Sequence, residues 1–181
     1  MRIYVEDVNL GLERIRKILS AIPSEIPKAL YHALKRAGEA AKTKAGQFAS
    51  AEYTIGAGTF SARTKQSTMV SQTSMTITYR GSVLPLLTFS TQVSDRAVKH
   101  ALVRYDKGGG PLHHVFTANI GGRFGAYERK TSKRFPVEGK FGPSTAHMMR
   151  HEKVVEKMQK TMQETYDQRI EHEIMRILSS F

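Results

Sequence analysis

The sequence has no cysteine and no tryptophan, and it contains no long apolar run. The absence of cysteine excludes disulfides, thiolate metal ligands and cysteine nucleophiles, and it fits a reducing compartment. No segment approaches the roughly 18 apolar residues that a membrane-spanning helix needs. The N-terminal segment carries Glu6 and Asp7, which a signal peptide would not. The sequence therefore predicts a soluble protein without membrane contact.

Acidic side chains are scarce in the middle of the chain and do not cluster there. Between residues 51 and 149 they are Glu52, Asp95, Asp106, Glu128 and Glu138. Enzyme mechanisms that use a pair of carboxylates therefore find few candidate residues in this region. The serine motifs of hydrolases and β-lactamases are missing as well. A nuclease would require clustered acids, or histidine with a metal. We therefore predict a protein that is not an enzyme and has no cofactor.

Two pairs of histidines are candidate metal ligands. His113 and His114 are adjacent in a predicted strand, so their side chains should point to opposite faces of the sheet. His147 and His151 have the four-residue spacing of ligands on one helix face, but no third ligand accompanies them. We therefore predict no metal site.

Basic residues exceed acidic residues by 28 to 16, which gives a formal net charge of +12. The excess lies in residues 1–149, whereas residues 150–181 are balanced. A basic surface attracts phosphate backbones and acidic protein faces alike, and charge alone does not distinguish them.

Hydrophobic periodicity predicts three helices. The first covers residues 8–20, and the second covers about 24–48 with Ser24 as its N-cap. The third is the longest, from about Ser144 to Leu178, and its apolar residues recur at spacings of three and four. Its predicted buried stripe is Val155, Met158, Met162, Tyr166, Ile170, Ile174, Ile177 and Phe181.

Strand patterns fill the region between the second and third helices. Strands are predicted over residues 69–79, 83–89, 97–105, 112–120 and 125–130, and residues 131–144 are predicted as an extended segment. Gly121-Gly122 is predicted as a hairpin turn. Successive strands joined by short turns favour antiparallel pairing. The predicted fold class is therefore α+β: one domain over residues 1–181, with an antiparallel sheet flanked by two N-terminal helices and one long C-terminal helix.

A basic run interleaved with aromatic residues follows the predicted hairpin turn. Its cations are Arg123, Arg129, Lys130, Lys133, Arg134 and Lys140, and its aromatics are Phe124, Tyr127, Phe135 and Phe141. This composition is typical of grooves for single-stranded nucleic acid, and equally of protein interfaces with aromatic anchors. Because no nucleic-acid-binding signature accompanies it, the protein interface is favoured, and both interpretations stay open.

Four residues after this run are predicted to shape a turn from strand to helix. Pro136 stiffens an extended segment, Gly142-Pro143 provides a sharp turn, and Ser144 can cap the following helix. These roles need no contact with another molecule.

The same region resembles bacteriophage minor tail protein Z and related tail completion proteins. The motifs that carry the resemblance are aromatic-x-Arg at Tyr127 to Arg129, Arg-x-Pro-Val at Arg134 to Val137, and aromatic-Gly-Pro-Ser at Phe141 to Ser144. The segment from Leu84-Pro85-Leu86 to Phe89 and the ending Arg169 to Ile174 are similar as well.

The resemblance implies a structural component of a phage or prophage tail. Such a protein would act at the head-proximal end, in tail completion and head–tail joining. It would contact copies of itself in a ring of about six, the tail terminator or tail tube, and the head connector. Genomic DNA would pass through this part of the tail without being bound specifically. The implied location is the virion tail, with assembly in the host cytoplasm. The alternative is a basic nucleic-acid-binding protein.

Overall fold

The computed structural model describes residues 2–4, 25–71 and 74–179, and it describes residues 2–4 by their backbone alone. The α+β class is confirmed, and the strand pairs between these residues are antiparallel. The helices are α1 (Ile26–Glu52), α2 (Ala57–Arg63), α3 (Thr145–Met148) and α4 (Glu152–Leu178). The strands are β1 (Arg2–Tyr4), β2 (Lys65–Val70), β3 (Met75–Arg80), β4 (Val83–Pro85), β5 (Ser90–Ser94), β6 (Ala97–Leu102), β7 (Gly110–Pro111), β8 (Val115–Ile120), β9 (Arg123–Arg129), β10 (Val137–Gly139) and β11 (Phe141–Ser144).

The chain divides into two compact units. The helical unit comprises Met1–Ala45, Lys65–Arg80 and Arg150–Phe181, and the sheet unit comprises Gly46–Thr64 and Gly81–Met149. The units are defined by contacts within each of them, so the organisation as one domain stays a prediction.

Helix α1 presents an apolar stripe with helical spacing, as predicted. Pro27 is accommodated because it lies in the first turn, where the backbone N–H would have no helical acceptor. The helix continues four residues beyond the predicted end, to Glu52. At Gly38 any larger side chain would collide with Met75 of β3, so helix and strand approach closely there. The buried stripe is Leu30, Leu34, Ala37, Ala41 and Ala45.

The predicted C-terminal helix is interrupted. Instead of one helix from Ser144, α3 ends at Met148, and α4 begins after His151, whose backbone is extended (φ −64°, ψ 130°). Within α4, Val154 is fully buried and Val155 is only partly buried, whereas the sequence predicted Val155 in the stripe. The rest of the stripe is confirmed as far as Ile177, and Phe181 lies outside the described residues.

The helical unit also contains a three-stranded sheet in the order β1-β3-β2. The strand predicted over residues 69–79 is wrong as a single element, because β2 and β3 occupy this region as an antiparallel pair. In β3 the buried residues alternate at Met75, Ile77 and Tyr79, as a sheet with one buried face requires. The predicted helix over residues 8–20 and its neighbour Ser24 lie outside the described residues.

The sheet unit is built on the strand order β10-β9-β8-β6-β5, with β7 also paired to β6. Strand β6 lies in the interior of this sheet, between β8 and β5. The predicted hairpin turn between β8 and β9 is confirmed, because Gly121 and Gly122 both have positive φ, which glycine adopts without strain. A small core lies against this sheet and contains Leu86, Val98, Val115 and Ala126.

A separate two-stranded sheet joins β4 and β11. The strand predicted over residues 83–89 ends at Pro85, where a 3-10 turn over Leu86–Thr88 begins. The extended segment predicted over residues 131–144 contains two strands, because β10 pairs with β9 and β11 pairs with β4. Both strands are short and contain glycine, so no alternating pattern marks them in the sequence.

Candidate interaction surface

Gly142 and Pro143 lie within strand β11, with a register shift between Gly142 and Ser144, so the sharp turn predicted at these two residues is wrong. Gly142 lies opposite Leu84 in the β4–β11 pair, and a side chain at Gly142 would collide with the Phe89 ring. Ser144 caps α3, since its Oγ accepts a hydrogen bond from the backbone N–H of His147 at 3.1 Å. Pro143 is half-buried within the same strand.

Pro136 lies at the start of the segment that leads to this strand. The Phe135–Pro136 bond is cis, and the Pro136 carbonyl accepts a hydrogen bond from the backbone N–H of Lys130 at 3.3 Å. This hydrogen bond therefore holds the bend over residues 130–136 at the end of β9, just before β10 begins.

Two cations of the basic run are engaged by acids of the same sheet. Lys130 Nζ lies 3.4 Å from Glu138 Oε2, and Lys140 forms an ion pair with Glu128. The hydrogen bond from Lys140, together with its charge, lowers the pKa of the Glu128 carboxyl, and the same bond raises the pKa of Lys140. These two lysines therefore contribute less positive charge outward than the sequence suggests.

Arg129 contacts an aromatic ring instead of an acid. Its guanidinium carbon lies 4.7 Å from the centroid of the Phe116 ring, which is cation–π distance. The Phe116 and Tyr127 rings are 6.4 Å apart, with an interplanar angle of 38°. Because neighbouring residues of a strand point to opposite faces, Arg129 lies on the face of β9 opposite to the Glu128–Lys140 pair.

The remaining three cations of the run are exposed at its edges. Arg123 begins β9, and its carbonyl accepts a hydrogen bond from the Tyr127 hydroxyl at 3.0 Å. Lys133 and Arg134 lie in the bend before Pro136, where the Arg134 guanidinium is 5.8 Å from the Phe135 ring centroid. The predicted contact residues therefore do not form one continuous patch, because the sheet divides them between its faces and the bend.

The prediction that His113 and His114 point to opposite faces is wrong. Both lie in a turn that precedes β8, and the positive φ of His114 (67°) takes the pair out of strand geometry. Both line an open groove of about 490 Å³, together with Lys99, Phe116 and Arg129. No acidic side chain lines this groove among the described residues.

Sequence reasoning missed this groove because its residues come from separate strands. Lys99 belongs to β6 and Phe116 to β8, and the register that pairs Ala97 with Phe116 places them on one face. That register, which depends on the turn before β8, was not visible in the sequence.

A second, smaller groove of about 240 Å³ is lined by Tyr53, Val103, Arg104 and His147, among others. Arg104 donates two hydrogen bonds to the Asp106 carboxylate, at 2.9 Å and 2.5 Å, so its charge is neutralised locally. Burial raises the pKa of Tyr53, and the charge of Arg104 opposes this shift. The groove carries no concentrated charge and indicates no particular ligand.

Within residues 2–4, 25–71 and 74–179, no group of three or more His, Asp or Glu side chains could hold a metal ion. His147 belongs to α3 and His151 precedes α4, so they do not share a helix face. Of the helices in this described part, none is both long and apolar enough to cross a membrane.

The chain matches no protein-family model, and neither a curated protein nor a solved structure is significantly similar to it.

Proposed function

We propose that the chain is a structural, non-enzymatic component of a bacteriophage or prophage tail, acting at the head-proximal end in tail completion and head–tail joining. The proposal starts from the sequence resemblance to tail completion proteins. What the chain would do there is bind other protein subunits, in a ring of its own kind and against the tail terminator or tube and the head connector.

The observation that carries the proposal is the pairing of two segments on which the resemblance depends. The Leu84–Pro85 segment and the Phe141–Ser144 segment are far apart in sequence, yet they pair as antiparallel strands. Their residues build the pair, the close contact at Gly142 and the helix cap. These motif residues shape the backbone and cap a helix, as a scaffold protein needs, whereas an enzyme's motif would deliver reactive groups to a cleft.

The exposed apolar residues of the sheet unit provide surfaces for such contacts. Phe124, Phe135 and Phe141 are 67%, 59% and 58% exposed, which is unusual for phenylalanine. Exposed aromatic rings beside cations are typical of the anchors of protein interfaces. Together with a net charge of +12, they favour partners with acidic faces.

The experiment that tests the proposal is deletion of the coding sequence from the phage or prophage that carries it. Electron microscopy of the resulting particles should show filled heads and separate tails, because joining would fail while both parts assemble. Expression of the chain in trans should restore joined particles, whereas the Gly142→Trp variant, which cannot accommodate Phe89, should not.

Light scattering of the purified protein provides the complementary test. We expect a closed ring of about six subunits, either alone or after addition of tail tubes. Normally joined, infectious particles after deletion would reject the proposal, whatever the mass in solution.

A further inference from the structure

The outer face of the large sheet, which points away from the Val98–Val115–Ala126 core, carries flat rings and positive charge together. Phe116 and Tyr127 lie side by side in the β8–β9 register, and Arg129 stacks on Phe116. Lys99 extends the same face at β6, next to the turn with His113 and His114. We call this surface the ring face; its residues are Lys99, His113, His114, Phe116, Tyr127 and Arg129.

Two glycines make room for the rings on this face. A Cβ at Gly139 would lie 3.0 Å from Cε2 of Phe141 and 3.8 Å from Cε1 of Tyr127. A Cβ at Gly125 would lie 3.4 Å from Cε2 of Tyr127. The Phe141 ring therefore lies over the bare backbone of β10 close to Tyr127, and it is 58% exposed.

The acids nearest to the ring face do not offset its charge. Glu128 is bound by Lys140, on the opposite face of β9, and Glu138 is bound by Lys130. The groove on the ring face is lined by Lys99, Arg129 and two histidines, and by no acid among the described residues. Anions are therefore attracted to this face in preference to cations.

We propose that the ring face binds single-stranded nucleic acid without sequence specificity. Lys99 and Arg129 would contact phosphates, and the exposed Phe141 ring, with Tyr127 beside it, would stack on bases. Phosphate contacts and base stacking in combination are how sheet surfaces hold single strands. An acidic protein would also be attracted by the cations, so the test below includes competition by polyglutamate. Duplex DNA keeps its bases inside the double helix, out of reach of the rings. The inference stands independently of the proposed role in the tail.

Binding is measured by fluorescence anisotropy with a labelled thymidine oligonucleotide of about 20 residues, at about 50 mM salt. The variant Lys99→Gln/Arg129→Gln should bind about tenfold more weakly. For this variant, the plot of log affinity against log salt concentration should be shallower by about 1.4, because each lost phosphate contact removes about 0.7 from the magnitude of the slope. The matched control is Lys133→Gln/Arg134→Gln, which removes the same charge from the bend and should change affinity less than twofold.

The stacking contribution is tested by Phe141→Leu, with Phe124→Leu as its control. Both rings are exposed, so neither change should unfold the protein, and Phe124 lies on the other face of β9. Phe141→Leu should weaken oligonucleotide binding about fivefold and leave the binding of inorganic polyphosphate unchanged.

Three results would overturn the proposal. One is the absence of oligonucleotide binding, and another is an equal loss of affinity in both charge variants. The third is competition by polyglutamate that is as strong as competition by unlabelled oligonucleotide and insensitive to Phe141→Leu, which would assign the face to an acidic protein instead.

Discussion

The helical unit and the sheet unit bury their apolar side chains in different ways. In α1 and α4 the apolar residues of the stripe are buried, as Met158 shows, and the apolar residues off the stripe, such as Met175, are exposed. In the sheet unit Tyr105, Phe124, Phe135 and Phe141 are more than half exposed, and Phe135 lies beside the Arg134 guanidinium. This contrast indicates that the apolar stripes of the two long helices serve stability, whereas the exposed aromatic rings of the sheet unit are available for contact with other molecules.

The largest expected effect is that of removing a buried methionine from the helical unit. Met158 is fully buried, so Met158→Ala should lower the free energy of unfolding by about 2–5 kcal/mol. Met175 lies on the same helix and is 69% exposed, so Met175→Ala should stay within about 0.5 kcal/mol of the parent. Urea denaturation of both variants measures the difference. Equal effects would mean that burial does not distinguish the two positions.

A second effect concerns alkaline pH. Burial raises the pKa of Tyr166 to about 12 from its ordinary value of 10.0, and the side chain is 5% exposed. The folded state therefore keeps the Tyr166 hydroxyl protonated at pH values where the unfolded chain releases the proton. The free energy of unfolding is unaffected by this group below pH 10 and decreases as the pH rises from 10 to 12. The loss attributable to Tyr166 should be about 2–3 kcal/mol.

Comparison of variants isolates this contribution from the titration of lysines. Unfolding free energies at pH 9 and pH 12 should differ less in Tyr166→Phe than in the parent. Tyr105→Phe, at an exposed position of the sheet unit, should follow the parent. If all three proteins lose the same stability, Tyr166 is not protonated preferentially in the folded state.

A third effect lies at the close contact between β11 and Phe89. An alanine at Gly142 would collide with the Phe89 ring, so Gly142→Ala should cost about 1–3 kcal/mol in thermal or urea unfolding. Gly110 has open space around it, and Gly110→Ala should be neutral or slightly stabilising because it restricts the unfolded chain. A neutral Gly142→Ala would show that the ring moves aside freely.

The sequence predicted the two long helices better than the strands. Stripes at Leu30 to Ala41 and at Met158 to Ile177 repeat over many turns, so periodicity identified both long helices. The break at His151 was missed, because an extended backbone at one residue leaves no mark on such a pattern. The β2–β3 hairpin was predicted as one strand, since alternation continues on both sides of its turn.

The candidate surface was predicted in composition but not in arrangement. Hairpin glycines and the Ser144 cap follow local rules and were recognised. The stacking of Arg129 on Phe116 and the convergence of His113 with Lys99 depend on strand register and on a positive φ at His114. Neither is encoded by spacing along the chain. The intrachain pairing of Lys140 likewise depends on the β9–β10 pair, which was not predicted.

The smallest expected effect tests that pairing, and with it the contrast between the two faces of β9. The hydrogen bond and charge of Lys140 hold the pKa of Glu128 below its ordinary value of 4.5. In Lys140→Met the Glu128 pKa should rise toward that value, and in Lys130→Met it should stay where it is. Titration of the Glu128 carboxyl by NMR measures both.

Because the folded pKa is lowered, the pair stabilises the fold above the ordinary pKa of Glu128, and this contribution is lost as the pH falls through the lowered value. Both side chains are about one-third exposed, so solvent screens the interaction and the effect on unfolding should be small. An unchanged Glu128 pKa in Lys140→Met would mean that Lys140 is available to partners. The positive charge of the sheet unit would then be spread over both faces of β9 instead of being concentrated on the ring face.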